Sequence, residues 1–172
     1  LFIADNSDRL IWIVKVVSPS VLSTVGYIPL EDEALGIEVA KADDDVSLNL
    51  AVYYGNSAYL YNLDIETTFL NSLAEISLES PLLAGDLYGD FLYLLKRNNG
   101  FALYMIADPS NPQWAGEVDM PAGIYSFEVI DGMIYTAGEN GLTVYNRVNG
   151  YPESIEMFYH GVEKICRFAK AD

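Results

Sequence analysis

The chain has 172 residues, 51% of them hydrophobic, and its 25 acidic and 9 basic side chains give a formal net charge of −16. This charge repels phosphate backbones, so nucleic acid is not an expected partner. No apolar run is long enough for a membrane span, and no signal peptide is recognisable. Because the first residue is Leu and not Met, we expect a mature, trimmed or excised product.

Short apolar segments restart four times along the chain, at Leu1, Leu48, Phe91 and Met133, at intervals of 42 to 47 residues. Several short strands within a period of about 40–45 residues are typical of a β-propeller blade. Turn residues such as Asp131-Gly132 separate the strands, which we name A to D in each repeat. The sequence therefore predicts an all-β propeller with about four blades of four antiparallel strands in a single domain. The predicted blades comprise residues 163–172 plus 1–29, 36–78, 84–119 and 124–159.

Two local signals are interpreted through this repeat. Residues Glu66–Leu78 have helix propensity, but their position in the second blade favours strand D. Trp12 and Trp114 fall in strands C and D, so we expect both rings to pack between adjacent blades.

The chain begins at a strand B and ends at a strand A. Residues Phe168–Asp172 repeat the pattern of Val39–Asp43, so the predicted strand Glu163–Ala169 should pair with Leu1–Asp5. Such pairing closes a propeller and removes its open sheet edges. A tight four-bladed ring is the favoured arrangement. A segment of a larger propeller and a dimer that completes an eight-bladed ring are the alternatives.

The stretch Gly100–Pro112, with an apolar strand that runs into Asp108-Pro109-Ser110-Asn111-Pro112, resembles the LVIVD-repeat propellers. Residues Val16–Ser20 match this motif in part. Gly141–Tyr145 resembles the start of the same strand, and the residues that follow depart from the motif. The resemblance implies a bacterial or archaeal envelope or secreted protein with a binding or adhesive role. It carries no functional residues over to this chain.

The turns between strands A and B are acidic. In an up-and-down blade these turns lie on one face, and carboxylates that converge there could bind a hard cation such as calcium. Turn formation explains the same residues without a metal. The candidate metal ligands are Asp43, Asp44, Asp45, Asp90, Asp131 and Asp172.

The opposite face carries the loops between strands B and C and between successive blades. Loops on a rigid scaffold are a usual place for recognition, and Lys96-Arg97 is an adjacent basic pair in an acidic chain. We expect this face to contact a protein or glycan partner. The candidate contact residues are Asp5, Asp8, Arg9, Lys96, Arg97 and Glu139.

Catalytic patterns are scarce in the sequence. His160 and Cys166 are the single histidine and the single cysteine, so multi-histidine metal sites and internal disulfides are excluded. Any catalytic triad would have to use His160, for which the sequence shows no orienting partner. We therefore predict no catalytic residues and no required cofactor. The predicted function is a non-enzymatic extracellular, cell-surface or periplasmic binding or structural module. A propeller hydrolase or lyase with channel-mouth carboxylates and a bound cation, or a blade segment of a larger surface protein, is the alternative.

Overall fold

The computed structural model describes residues 1–42, 46–97, 100–120, 123–139, 141–148 and 151–157. These residues form fifteen β-strands. The strands are β1 (Phe2–Asp5), β2 (Leu10–Ser18), β3 (Val21–Pro29), β4 (Gly36–Lys41), β5 (Ser47–Tyr54), β6 (Ser57–Asp64), β7 (Leu70–Ser77), β8 (Leu82–Tyr88), β9 (Phe91–Lys96), β10 (Gly100–Met105), β11 (Gln113–Asp119), β12 (Ile124–Ile130), β13 (Met133–Gly138), β14 (Gly141–Val148) and β15 (Tyr151–Met157). No helix of the described residues is long and apolar enough to cross a membrane.

The strands form four antiparallel sheets in simple up-and-down order: β1–β3, β4–β7, β8–β11 and β12–β15. The predicted all-β repeat is therefore confirmed, and the segment with helix propensity contains strand β7. The first sheet has three described strands. Its predicted fourth strand, Glu163–Ala169, and the pairing of that strand with β1 lie outside the described residues.

The turns explain why the strands end where they do. Asp131 and Gly132 have φ values of 51° and 77° and join Ile130 to its ladder partner Met133. Two positive φ angles in a row define the tight hairpin turn that matches strand twist, and Asp-Gly is a preferred pair for it. Gly89, with φ 55°, supports the equivalent turn between β8 and β9.

Three apolar cores separate the four sheets. Because neighbouring residues of a strand point to opposite faces, β5 and β9 supply buried side chains to a core on each side. Leu50 and Val52 pack with the first sheet, whereas Ala51 and Tyr53 pack with the third. Phe101 and Phe127 meet edge to face between the third and fourth sheets, with ring centroids 4.5 Å apart.

The first strands of the sheets lie along the inside of this stack. Strand β8 contacts both β4 and β12, and β1 contacts β4. The Asp86 carboxylate of β8 accepts a hydrogen bond of 2.6 Å from the Val129 N–H of β12. In the part of the chain that the structure describes, no comparable contact joins the first and fourth sheets. We call these four stacked sheets, with β4, β8 and β12 as inner strands, the arc.

Tyr53 joins two inner strands through a close fit. Its ring is 5% exposed, and its Oη donates a hydrogen bond of 3.4 Å to the Gly85 carbonyl. A Cβ at Gly85 would lie 2.9 Å from the Tyr53 ring, and a Cβ at Gly36 would overlap the Tyr53 hydroxyl. Glycine at both positions lets the second and third sheets approach with the ring between them.

Candidate functional site

The connections divide between two faces of the arc. One face, here the loop face, carries the links between sheets and the loops that follow β1, β5, β9 and β13. Its described residues are 6–9, 30–35, 55–56, 78–81, 97, 120, 123 and 139. The other, here the turn face, carries the connections that follow β2, β4, β6, β8, β10 and β12. Its described residues are 19–20, 42, 46, 65–69, 89–90, 106–112 and 131–132.

The loop face repeats one backbone contact in every sheet, which ties the link between sheets to the loop beside it. Each contact is an N–H to carbonyl hydrogen bond of 2.8 or 2.9 Å. The donor and acceptor pairs are Leu30 and Arg9, Leu78 and Asn56, Arg97 and Pro81, and Glu139 and Gly123. These bonds tie the described parts of the links to the described parts of the loops beside them.

Among the predicted contact residues, Asp5 stabilises the loop that follows β1. Its carboxylate accepts hydrogen bonds from the N–H groups of Ser7 and Asp8, at 3.1 and 3.3 Å. Asp8 and Arg9 are exposed, and the Arg9 guanidinium donates to the Glu31 carbonyl at 3.1 Å. Asp8 and Arg9 are therefore available on the loop face, whereas Asp5 is used to shape it.

Lys96 is buried, although the sequence predicted that it forms an exposed basic pair with Arg97. It is the last residue of β9, is 6% exposed, and forms an ion pair with Glu117 of β11. Arg97, the next residue, is exposed. Side chains of adjacent strand residues point to opposite sides, so the pair is divided between the protein interior and solvent. The ammonium group of Lys96 is not presented to a partner.

A cleft of about 410 Å³ opens where the inner strands begin, at the loop-face end of the arc. We call it the inner cleft. It is lined by Leu35, Glu38, Tyr53, Leu83, Ala84, Gly85, Tyr125, Ser126, Phe127 and Glu128. Two of its side chains, Glu38 and Glu128, are carboxylates from different sheets. Beside them the Tyr125 hydroxyl donates a hydrogen bond of 2.5 Å to Glu139.

The predicted contact residue Glu139 therefore lies next to the inner cleft. The sequence analysis did not predict Glu38 and Glu128 as site residues. Each inner strand carries one acidic residue near its middle: Glu38 in β4, Asp86 in β8 and Glu128 in β12. Alignment of the three strands would have revealed this recurrence. An acidic residue inside a strand indicates a candidate site better than one in a turn, because turn formation does not explain its presence.

The predicted metal ligands are only partly described. Asp90 and Asp131 are exposed in two-residue turns on the turn face. Asp43, Asp44, Asp45 and Asp172 lie outside the described residues. Within the described ranges no group of three or more His, Cys, Asp or Glu side chains is placed to hold a metal ion. Calcium binding on this face therefore stays a prediction.

A cavity of about 450 Å³ lies next to Asp90, between the second and third sheets. The side chains of Lys41, Asn49 and Asn62 also line it. The ammonium group of Lys41 adds positive charge to this cavity, which opposes the binding of a cation.

A polar cluster on the second sheet has a structural use. The Glu75 carboxylate accepts hydrogen bonds from Tyr59 at 3.1 Å, Ser77 at 3.0 Å and Ser57 at 3.4 Å. A hydrogen bond with the Tyr54 side chain, burial and the bond to Glu75 together raise the pKa of Tyr59 well above its usual value. Tyr59 also stacks on Tyr54, with ring centroids 4.8 Å apart. The cluster thereby fixes the ends of β5, β6 and β7.

Asp64, on the turn face, provides a pH-dependent contribution to stability. Its carboxylate accepts hydrogen bonds from the N–H groups of Thr67 at 2.8 Å and Glu66 at 2.9 Å, which hold its pKa below the usual value. A lowered folded-state pKa stabilises the fold above the unfolded-state pKa, and the contribution is lost as pH falls through the folded-state pKa. We expect Asp64→Ala to lower Tm slightly at neutral pH and to match the parent chain in strong acid.

The control for this prediction is Asp64→Asn, which retains an acceptor oxygen without the charge. It should show a smaller loss at neutral pH. Thermal unfolding measured by circular dichroism from neutral pH to strong acid checks both variants. A Tm difference for Asp64→Ala that does not change with pH would count against the assigned role of the carboxylate.

Comparison with known proteins supports the fold alone. No family model and no curated protein sequence matches the chain. Similar solved structures include the periplasmic gluconolactonase of Pseudomonas aeruginosa, with a TM-score of 0.71 and 14% identity over 90% of this chain and 49% of that one. A protein from Lactobacillus plantarum has a TM-score of 0.68 and 15% identity, over 90% of this chain and 52% of that one. BamB of Moraxella catarrhalis has a TM-score of 0.60 and 15% identity, over 88% of this chain and 43% of that one.

The gluconolactonase and BamB are β-propellers, so the four stacked sheets have the β-propeller fold. The chain spans about half the length of these structures. At 14–15% identity the likeness transfers no activity and no site residue.

Proposed function

We propose that this chain is a non-enzymatic propeller module that binds a protein partner through the loop face and the inner cleft. The observation that carries the proposal is the pair of acidic residues, Glu38 and Glu128, in a cleft that opens beside loops joined by backbone hydrogen bonds. The ion pair of Lys96 with Glu117 removes one positive charge from this face. A basic segment of the partner is the complementary chemistry, and the net charge of −16 would steer it to the protein.

The proposal includes an extracellular, cell-surface or periplasmic location and kinship with the LVIVD-repeat propellers. Support comes from the motif at Asp108–Pro112 and from the periplasmic source of one similar structure. In the structure Asp108 accepts a hydrogen bond of 3.0 Å from the Ser110 N–H, so the motif forms a compact turn. A propeller closed by pairing of Glu163–Ala169 with β1 is also part of the proposal.

The test is binding of a fluorescent octalysine peptide, measured by anisotropy at low salt. The double variant Glu38→Gln/Glu128→Gln should weaken binding about tenfold, because each nearby surface charge pair contributes roughly 0.5–1 kcal/mol. The matched control is Glu66→Gln/Asp90→Asn, which removes two exposed charges from the turn face. It should change the affinity less than about twofold, since those charges are more distant and screened.

Equal weakening by both double variants would show that the peptide responds only to net charge, which would contradict a site in the inner cleft. Absence of octalysine binding together with binding of a neutral oligosaccharide would replace the protein partner by a glycan.

A lactone hydrolase is the second candidate. The likeness in fold to a periplasmic gluconolactonase and the presence of two carboxylates in one cleft favour it over other enzymes. We expect gluconolactone to hydrolyse at the uncatalysed rate in the presence of the chain, with or without calcium. A rate enhancement that Glu38→Gln or Glu128→Gln abolishes would establish the enzyme instead.

A further inference from the structure

A second cleft opens between the second and third sheets, beside their last strands β7 and β11. We call it the outer cleft. Residues 77–80, at the end of β7 and in the link that follows it, form one wall, and Lys96, Trp114 and Glu117 form the other. Its volume of about 390 Å³ lies within the range of roughly 300–1,000 Å³ that is typical of small-ligand sites.

Trp114 presents an exposed aromatic ring in the outer cleft. It is 53% exposed, whereas tryptophan is highly buried in most proteins. Tyr104, its partner in the ladder between β10 and β11, contacts the indole edge to face, with ring centroids 5.2 Å apart. The contact restrains the indole, and more than half of the tryptophan still faces solvent.

The repeat itself does not require tryptophan at this position. In every sheet the ladder between the last two strands shifts register, and Trp114 is the residue opposite the first position beyond the shift. The residues in the same place are Thr24 in the first sheet, Ser72 in the second and Ser154 in the fourth. The fold is therefore built with small polar side chains at this place, and the packing of a propeller blade does not explain the indole of the third sheet.

Glu117 places a carboxylate beside the indole. Its Oε1 atom forms the ion pair with buried Lys96, which holds the carboxylate in the wall. The Glu117 side chain is 45% exposed, and an ionised carboxylate has acceptor sites on both oxygens. Burial and the charge of Glu117 raise the pKa of Tyr104, so the carboxylate also lies close to the aromatic pair. Glu117 is thereby fixed as an acceptor for O–H donors that enter the cleft.

Backbone hydrogen bonds hold the opposite wall in place. The Leu78 N–H donates to the Asn56 carbonyl at 2.9 Å, and the Asn56 side chain donates to the Leu78 carbonyl at 2.6 Å. The Arg97 N–H donates to the Pro81 carbonyl at 2.8 Å, which joins the link to the third sheet. A site whose walls are already connected loses little conformational entropy when a ligand binds.

The composition of the outer cleft fits a neutral sugar. Sites for apolar ligands are lined mainly by hydrophobic side chains, whereas hydroxyl and charged groups surround the indole here. The C–H groups on one face of a pyranose ring carry partial positive charge and pack on the negative face of an aromatic ring. Its hydroxyl groups form strong hydrogen bonds with carboxylates. The net charge of −16 disfavours an anionic sugar.

We propose that the outer cleft binds a neutral oligosaccharide, with Trp114 stacked on one pyranose ring and Glu117 accepting hydrogen bonds from its hydroxyl groups. Rings with equatorial hydroxyl groups, such as glucose and N-acetylglucosamine, leave their C–H faces open for this stacking. The inner cleft lies beside the first strands of the sheets and the outer cleft beside the last strands. Sugar binding is therefore separate from the protein partner proposed above.

Calorimetric titration with cellotetraose and with the tetramer of N-acetylglucosamine tests the proposal. At least one of these sugars should bind the parent chain. Trp114→Ala should weaken that binding by about tenfold or more, because truncation of a tryptophan at the centre of a site removes much of its contact energy. Trp114→Phe keeps a smaller ring and should give an intermediate affinity. Absence of binding of both tetrasaccharides to the parent chain would overturn the proposal.

The matched control is Phe69→Ala. Phe69 is 62% exposed and lies on the turn face, outside the outer cleft. This variant should bind the tetrasaccharide with the affinity of the parent chain. Equal weakening by Phe69→Ala and Trp114→Ala would show unspecific stacking on exposed rings, which contradicts a built site. Circular dichroism should show all variants folded, since both aromatic side chains are more than half exposed.

Two further measurements locate the sugar. Addition of the bound tetrasaccharide should change the tryptophan fluorescence of the parent chain and of Trp12→Phe, but not that of Trp114→Phe. The affinity for octalysine should be the same in Trp114→Ala as in the parent chain. If Trp114→Ala weakened octalysine binding and neither tetrasaccharide bound, the outer cleft would belong to the protein partner and the sugar site would be refuted.

Discussion

Gly36→Ala is expected to destabilise the protein by about 2 kcal/mol and to lower Tm by roughly 4–8 °C. The reason is steric, because the new methyl group would overlap the Tyr53 hydroxyl in the packed space between two inner strands. Elsewhere in a strand the same substitution is favourable, since Gly costs about 0.5–1 kcal/mol relative to Ala. Chemical denaturation with thermal melts measures the effect.

The control is a double-mutant cycle with Tyr53→Leu. This change shortens the side chain, so Gly36→Ala should become neutral or slightly stabilising in its presence. Gly26→Ala serves as a second control, because the nearest atom to its Cβ would be Ile13 Cδ1 at 3.8 Å. A loss at Gly36 that persists without the Tyr53 ring would show that the ring is not the cause.

Glu117→Ala is expected to cost about 3 kcal/mol because it leaves the buried ammonium group of Lys96 without its ion-pair partner. The Lys96 side chain is 8% exposed and the Glu117 side chain 45%. Water can therefore partly replace the carboxylate, which places the cost at the lower end of the range for broken buried pairs. Urea unfolding of the Glu117→Ala variant and of the parent chain gives the difference in their free energies of unfolding.

Lys96→Met with Glu117→Gln is the matched control, since it removes both charges and keeps similar volumes. This double variant should recover most of the stability that Glu117→Ala loses. If Glu117→Ala were as stable as the parent chain, the ion pair would have to be solvated and the assignment of Lys96 to the interior would be wrong.

The strand repeat was predictable because its signals are local. Apolar restarts and turn residues such as Asp131-Gly132 recur in each blade, and the ladders follow them closely. Position in the repeat also decided correctly between helix and strand for Leu70–Ser77. The order of the strands within each sheet follows from short antiparallel connections.

The side-chain environments were less predictable. Trp114 was expected between blades but is 53% exposed and contacts Tyr104 edge to face on the surface of its own sheet. Lys96 was expected in solvent and is buried. In both cases the outcome depends on which face of the strand meets the next sheet. That relation is set by sheet packing, which one sequence does not specify.

The inner cleft was missed for a related reason. Glu38 and Glu128 are far apart in sequence, and each looks like an ordinary polar strand residue. They share a cleft because β4, β8 and β12 all face the inside of the arc. The sequence analysis placed the candidate metal ligands in the acidic turns instead. The geometry of the turn already explains Asp131, because its φ is 51°.

The account depends on the face-to-face packing of consecutive sheets with their first strands innermost. Nuclear Overhauser contacts between the labelled rings of Phe101 and Phe127 test this packing across the third and fourth sheets. Contacts between the Tyr53 ring and Gly85 test it across the second and third sheets. The rings of the two phenylalanines should give strong cross-peaks, as their centroids are 4.5 Å apart, and the Tyr53 ring should contact Gly85 Hα. Cross-peaks confined to residues of the same sheet would contradict the propeller arrangement.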